Sequence, residues 1–136
     1  MNWIIIAAIV VAGSVSTFTD WLFMGVLFHD RYSKYPDTWW PALRTDKAAD
    51  RRAIIWSSAL GYVTSAAVVL LCVFTGLHGY KDTLIVAGLA AAAGPLVNSP
   101  TTGMWVKIDP LVTAAHTFGY IARFVIAGLA AGYVLS

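Results

Sequence analysis

Four long apolar blocks with little chain between them constrain this sequence more than any other feature. They run from about Trp3 to Phe28, Ala53 to Thr75, Leu84 to Val106 and Leu111 to Leu135. A bilayer core about 30 Å thick needs about 20 apolar residues in helical form. Each block meets that length. Transmembrane strands would need alternating polarity and a closed barrel, which these blocks do not offer. The expected fold is all-α: a single four-helix transmembrane domain covering residues 1–136. Only 12% of the residues are charged, about half the share of a soluble domain. The first block is read as a retained helix and not as a signal peptide. Met1-Asn2-Trp3 carries no basic residue, and the apolar run is longer than an ordinary signal core.

Charge between the blocks sets an orientation. The first connection holds Arg31, Lys34, Arg44, Lys47, Arg51 and Arg52, and the third holds Lys107; the second holds only Lys81. Basic connections favour the cytoplasmic side. Both termini are therefore expected outside. The first connection also carries Tyr32, Tyr35, Trp39 and Trp40. Tyr35, Trp39, Trp40, Arg51 and Arg52 are expected at the membrane interface, facing lipid headgroups and not nucleic acid. Asp46 is a candidate cap for the second helix.

Polar residues inside the blocks are the candidate site. Asp20, His116 and Arg123 are ionisable side chains where charge is costly, so they are expected to face the bundle interior and find partners. At a rise of about 1.5 Å per residue, Asp20 lies about 12 Å and Arg123 about 18 Å from the basic end. Side chains lean toward their own helix N-terminus, which brings the two together. His116 and Tyr120 lie on the face of Arg123. Tyr62 on the second helix falls at similar depth. The third block contains Gly94-Pro95-Leu96-Val97-Asn98-Ser99-Pro100-Thr101-Thr102-Gly103. Its prolines remove backbone donors, so this helix is expected to be kinked or broken. Irregular backbone at membrane depth is tolerated where it is buried in protein or lines a cavity. Asn98, Thr101 and Thr102 thus join Asp20, Tyr62, His116, Tyr120 and Arg123 as candidates for one polar cluster.

Other motifs are sparse. Cys72 stands alone, which excludes dithiol chemistry, and its position fits an apolar packing role. A single histidine in the cluster gives no metal or haem motif, and nothing in the sequence names a cofactor. No nucleophile–base spacing is present, which leaves an intramembrane enzyme the weakest reading. Gly128-x-x-x-Gly132 and Gly61-x-x-x-Ser65 permit close helix approach. They serve either packing within the bundle or, for Gly128 and Gly132, a homodimer or another membrane partner.

The run Thr19-Asp20-Trp21-Leu22-Phe23-Met24-Gly25-Val26-Leu27-Phe28, followed by Tyr32 and Trp39-Trp40, resembles an uncharacterised family of small bacterial membrane proteins. The resemblance implies four helices and a bacterial inner membrane, and no activity. Small multidrug transporters also have four helices and an acid in the first, but here the acid lies late in the helix, opposite a candidate arginine. Quinone-linked thiol oxidoreductases require cysteine pairs that this chain lacks. Two functional readings follow. One is a structural or accessory membrane subunit with a buried Asp-Arg-His layer. The other is a small-molecule, lipid or proton binding or transport protein with a cavity in the cytoplasmic half.

Overall fold

The computed structural model describes residues 2–38 and 47–136, which form four membrane-length helical spans. Trp39, Trp40, Arg44 and Asp46 lie outside the described residues. Helix α1 (Trp3–Asp20) starts at an Asn2 cap and continues into a wide π turn over Trp21–Leu27. There Phe28 N–H reaches back five residues to Phe23 O at 3.1 Å. Short 3₁₀ turns follow at His29–Lys34 and Pro36–Thr38. Helix α2 spans Lys47–Phe74. The third span is two helices, α3 (Gly79–Ala93) and α4 (Pro95–Trp105), and the fourth is α5 (Pro110–Val134).

Local chemistry explains the boundaries. Gly76, at φ +64°, ends α2 with Leu77 N–H on Cys72 O at 3.2 Å, the long bond of a Schellman stop. The third span breaks at Gly94, whose backbone leaves the helical region, and Pro95 restarts it at the first-turn position that tolerates proline. Pro100 removes a further donor inside α4. The expected proline break is thus a full division into two helices. Asp109 caps α5 by accepting from Leu111 N–H at 2.9 Å.

Helix α5 is the centre of the bundle. It packs against α1, α2, α3 and α4. Its apolar window is 39% buried, against 17% for the third span. Small residues make this central position accessible. A Cβ on Gly128 would lie 2.7 Å from Ala87 Cβ, and one on Gly132 would lie 2.7 Å from Tyr80 Cδ1. The face carrying Gly128 and Gly132 is therefore filled by α3 of the same chain. Gly61 faces Thr17 and the Arg123 guanidinium, where a Cβ would meet Thr17 Oγ1 at an ordinary 3.5 Å.

The interior is divided along its length. At the end carrying both termini, Val68, Val69, Cys72, Ala87, Ala127 and Ala131 form a dry core. The buried ionisable residues Asp20, Arg123 and Asp109 lie from mid-depth toward the other end, which carries the first and third connections. Those connections meet there: Thr38 Oγ1 donates to Lys107 O at 2.8 Å, and Lys34 pairs with Asp109 at 3.0 Å. Large apolar side chains cover the outside, with Trp3, Phe74 and Tyr133 at one end and Trp105 at the other. Such an exterior has lipid as its solvent. This is a multi-pass membrane protein built as an all-α bundle.

Candidate functional site

Two elements that meet at mid-depth supply the centre of the site. Asp20 ends the regular part of α1, and Arg123 lies midway along α5. Arg123 Nε donates to Asp20 Oδ2 at 2.7 Å, and Nη2 donates to the same oxygen. Both residues are buried, at 7% exposure for Asp20 and 5% for Arg123. The pairing follows from opposed helix directions, since each side chain leans toward the other's level. Asp20 Oδ1 has no hydrogen-bond partner among the described residues. It faces Gly119, where a Cβ would come within 3.3 Å of it and of Met24 Cε. Arg123 Nη1 is likewise without a partner among the described residues: the two guanidinium bonds to Asp20 use the other nitrogens.

From Arg123 a line of polar rings leads toward the basic end. The guanidinium stacks over the Tyr120 ring at 5.1 Å. Tyr120 Oη lies 3.4 Å from His116 Nδ1, and His116 Nε2 lies 2.8 Å from Tyr32 Oη. Tyr32 belongs to the 3₁₀ turn after the first span, which folds back onto α5. In the sequence this residue is legible only as an interfacial aromatic. Its role in the cluster depends on the chain reversing within a few residues of Leu27.

The remaining candidates distribute around this line. Tyr62 does not reach it; its hydroxyl bonds Ser14 at 2.9 Å and its ring covers Gly13. Rise per residue puts Tyr62 at the right depth, but the helix turns its side chain toward an earlier part of α1. Asn98 and Arg123 line one groove together. Its other walls are Leu60, Val63 and Thr64 from α2, Gly94, Pro95 and Ser99 at the helix break, and Tyr120 and Phe124 from α5. The groove holds about 400 Å³ and opens sideways. It exists because α2 and α4 are not a packed pair among the described residues. A second hollow of about 230 Å³ is lined by Ser99, Thr102, Ile108, Thr113, His116 and Tyr120, so Ser99 and Tyr120 border both. Thr101 and Thr102 are exposed and donate to Val97 O and Asn98 O at 2.7 and 2.8 Å. These are back-bonds to the carbonyls four residues earlier, which commit both hydroxyl protons to their own helix.

The basic end has its own electrostatics. Asp109 is held below the ordinary carboxylate value, first by the Leu111 N–H and then by Lys34. Lys34 is correspondingly held above the ordinary lysine value, chiefly by its hydrogen bond to Asp109. Tyr35 lies beneath two ammonium groups, 5.5 Å from Lys34 Nζ and 4.9 Å from Lys107 Nζ. Arg51 and Arg52 are exposed at the start of the second span. The Lys34–Asp109 bridge escapes the sequence reading, although Asp109 before Pro110 is a recognisable helix-start signal.

The arrangement is an ion-paired layer with one arginine nitrogen not used in the pair, beside an open groove. Among the described residues, no group of three His, Cys, Asp or Glu side chains is placed to hold a metal ion. Comparison of the chain with protein-family models, with curated proteins and with solved structures found no match.

Proposed function

We propose that this protein binds a small lipophilic molecule that enters from the bilayer between α2 and α4. The observation that carries this reading is Arg123 at the groove wall, its Nη1 unpartnered among the described residues. A donor left unused at membrane depth is costly, and a bound acceptor removes that cost. The groove volume, about 400 Å³, lies within the usual range for small-molecule sites. The dry core at the end carrying both termini weighs against proton conduction through the bundle. The basic connections support a cytoplasmic placement of the other end, with both termini outside. The resemblance of residues 19–28 supports a bacterial inner membrane.

Extraction in mild detergent followed by mass spectrometry of bound lipophiles tests the reading. Wild type is expected to retain a small molecule in near-stoichiometric amount, and Val63→Trp, which fills the groove, to lose it. Equal retention by both proteins would count decisively against the groove.

A second reading, an accessory subunit, draws on the third span. Ile85, Gly88, Leu89, Ala92, Ala93 and Leu96 are all exposed at helical spacing, with Asn98 exposed beyond them. A Cβ on Gly88 would meet nothing within 4 Å. A partner helix packs well on such a face. Cross-linking from Gly88→Cys in native membranes is expected to capture a single stoichiometric partner if this reading holds, and only lipid if it does not.

A further inference from the structure

The groove beside Arg123 differs from a general apolar cleft in its depth, its charge and its hydrogen-bonding capacity, and together these narrow the class of molecule it accepts. We infer that its ligand is a neutral lipophile bearing a carbonyl-type acceptor oxygen, such as a ketone, quinone or ester. The oxygen accepts from Arg123 Nη1, and the hydrocarbon lies along Leu60, Val63 and Phe124 toward the lipid. This inference rests on the binding reading above and specifies its ligand.

Depth comes first. Arg123 stands 13 residues past Pro110 in the 25-residue helix α5. At a rise of about 1.5 Å per residue that is about 20 Å from the helix start, near the middle of the bilayer. Phospholipid headgroups and their ester linkages lie at the interface. A molecule that carries its acceptor to mid-depth must be membrane-soluble as a whole.

Charge is the second constraint. Asp20 already balances Arg123 through two hydrogen bonds. A carboxylate or phosphate in the groove would make the layer net negative within hydrocarbon, which membrane depth penalises. An ammonium would meet Arg123 first, because Asp20 does not line the groove. A neutral oxygen adds no net charge.

Hydrogen-bonding capacity is the third. Guanidinium carries five N–H donors and no acceptor, and Nη1 has no partner among the described residues. The Thr64 hydroxyl donates to Leu60 O at 3.0 Å, so its proton is already committed. Asn98, on the opposite wall, is exposed and adds amide donors at the groove rim. Ser99 and Tyr120 also line the groove, and Leu60, Val63, Pro95 and Phe124 supply its apolar wall. The site is thus matched to an acceptor at one end of an apolar body.

Photoreactive probes test the class. Three alkyl diazirines of one chain length, ending in a methyl ketone, a carboxylate or a primary amine, are incubated with the intact chain in nanodiscs. Labelled peptides are then mapped by mass spectrometry. The ketone probe is expected to label residues 60–64 and 120–124 about ten-fold more than either charged probe, the equivalent of one decade in affinity. Val63→Trp should abolish that labelling while the exposed Ile85 and Leu89 stay labelled as before. Val63 is 60% exposed, so the larger side chain does not disturb the core; Leu60→Trp, also at an exposed position, is the second blocking variant. Equal or stronger groove labelling by the carboxylate or the amine overturns the ligand class and leaves the groove standing. Labelling of 60–64 by no probe above the level at Ile85 and Leu89 overturns the groove itself, and so does ketone labelling that survives both blocking variants.

Discussion

Replacing Asp20 tests whether the buried pair governs the stability of the bundle. In the native protein, two guanidinium nitrogens share Asp20 Oδ2, and both side chains are nearly inaccessible. Asp20→Leu removes the counter-charge and leaves Arg123 stranded. Breaking a buried pair from one side costs about 3–5 kcal/mol. An ordinary interhelical hydrogen bond in a membrane contributes only about 0.6 kcal/mol. A loss well above that value therefore reports the stranded charge and not the missing bond. Asp20→Asn keeps the shape and one acceptor, so its cost should be smaller than that of Asp20→Leu but still exceed about 1 kcal/mol. Arg123→Leu strands the carboxylate and should cost as much as Asp20→Leu. The double variant Asp20→Leu/Arg123→Leu strands nothing, and well-packed apolar replacements of buried pairs are often neutral or stabilising by about 1–4 kcal/mol. Unfolding in mixed micelles of rising SDS fraction, followed by tryptophan fluorescence, measures all four variants against wild type. If Asp20→Leu costs less than about 1 kcal/mol, or if the double variant loses the sum of the single losses, then Asp20 and Arg123 are not energetically coupled and no stranded charge governs the bundle.

Three further predictions address other parts of the molecule. Gly128→Leu should push α3 away from α5 and destabilise the protein by about 1–3 kcal/mol, with the mass of the detergent-purified particle unchanged. A change of oligomeric state in light scattering would show instead that this face serves a second copy. Tyr32→Phe deletes the bond to His116 Nε2 and should loosen the first connection, so trypsin should cut faster after Arg31 and Lys34 under native conditions; unchanged cleavage would remove Tyr32 from the cluster. The Asp109 cap has a lowered folded-state value, so its contribution is present above the ordinary carboxylate value of 3.8 and is lost as pH falls through the folded value. Lys34 has a raised folded-state value, so its contribution is complete below the ordinary lysine value of 10.5 and fades as pH rises through the folded value. Thermal midpoints of wild type and Asp109→Asn should therefore converge toward strongly acid pH and differ across the neutral range.

The spans and the pairing of charges follow from the order of the amino acids alone. Long apolar blocks allow no other membrane structure than helices, and the observed span limits lie within a few residues of those read from hydrophobicity. Asp20 and Arg123 can be matched because depth follows directly from rise per residue, and because an unpaired charge has no stable place in hydrocarbon. The break in the third span is legible from Gly94, Pro95 and Pro100. Packing settles everything that depends on rotation about a helix axis or on how the chain reverses. Depth alone does not say that Tyr62 turns to Ser14, or that Gly128 and Gly132 face α3 of their own chain. Nor does it bring Tyr32 back onto His116. The groove is the clearest case. It is a gap between α2 and α4, and it results from α5 taking the centre of the bundle while the third span, whose first half α3 touches α2, turns away from it after the break at Gly94.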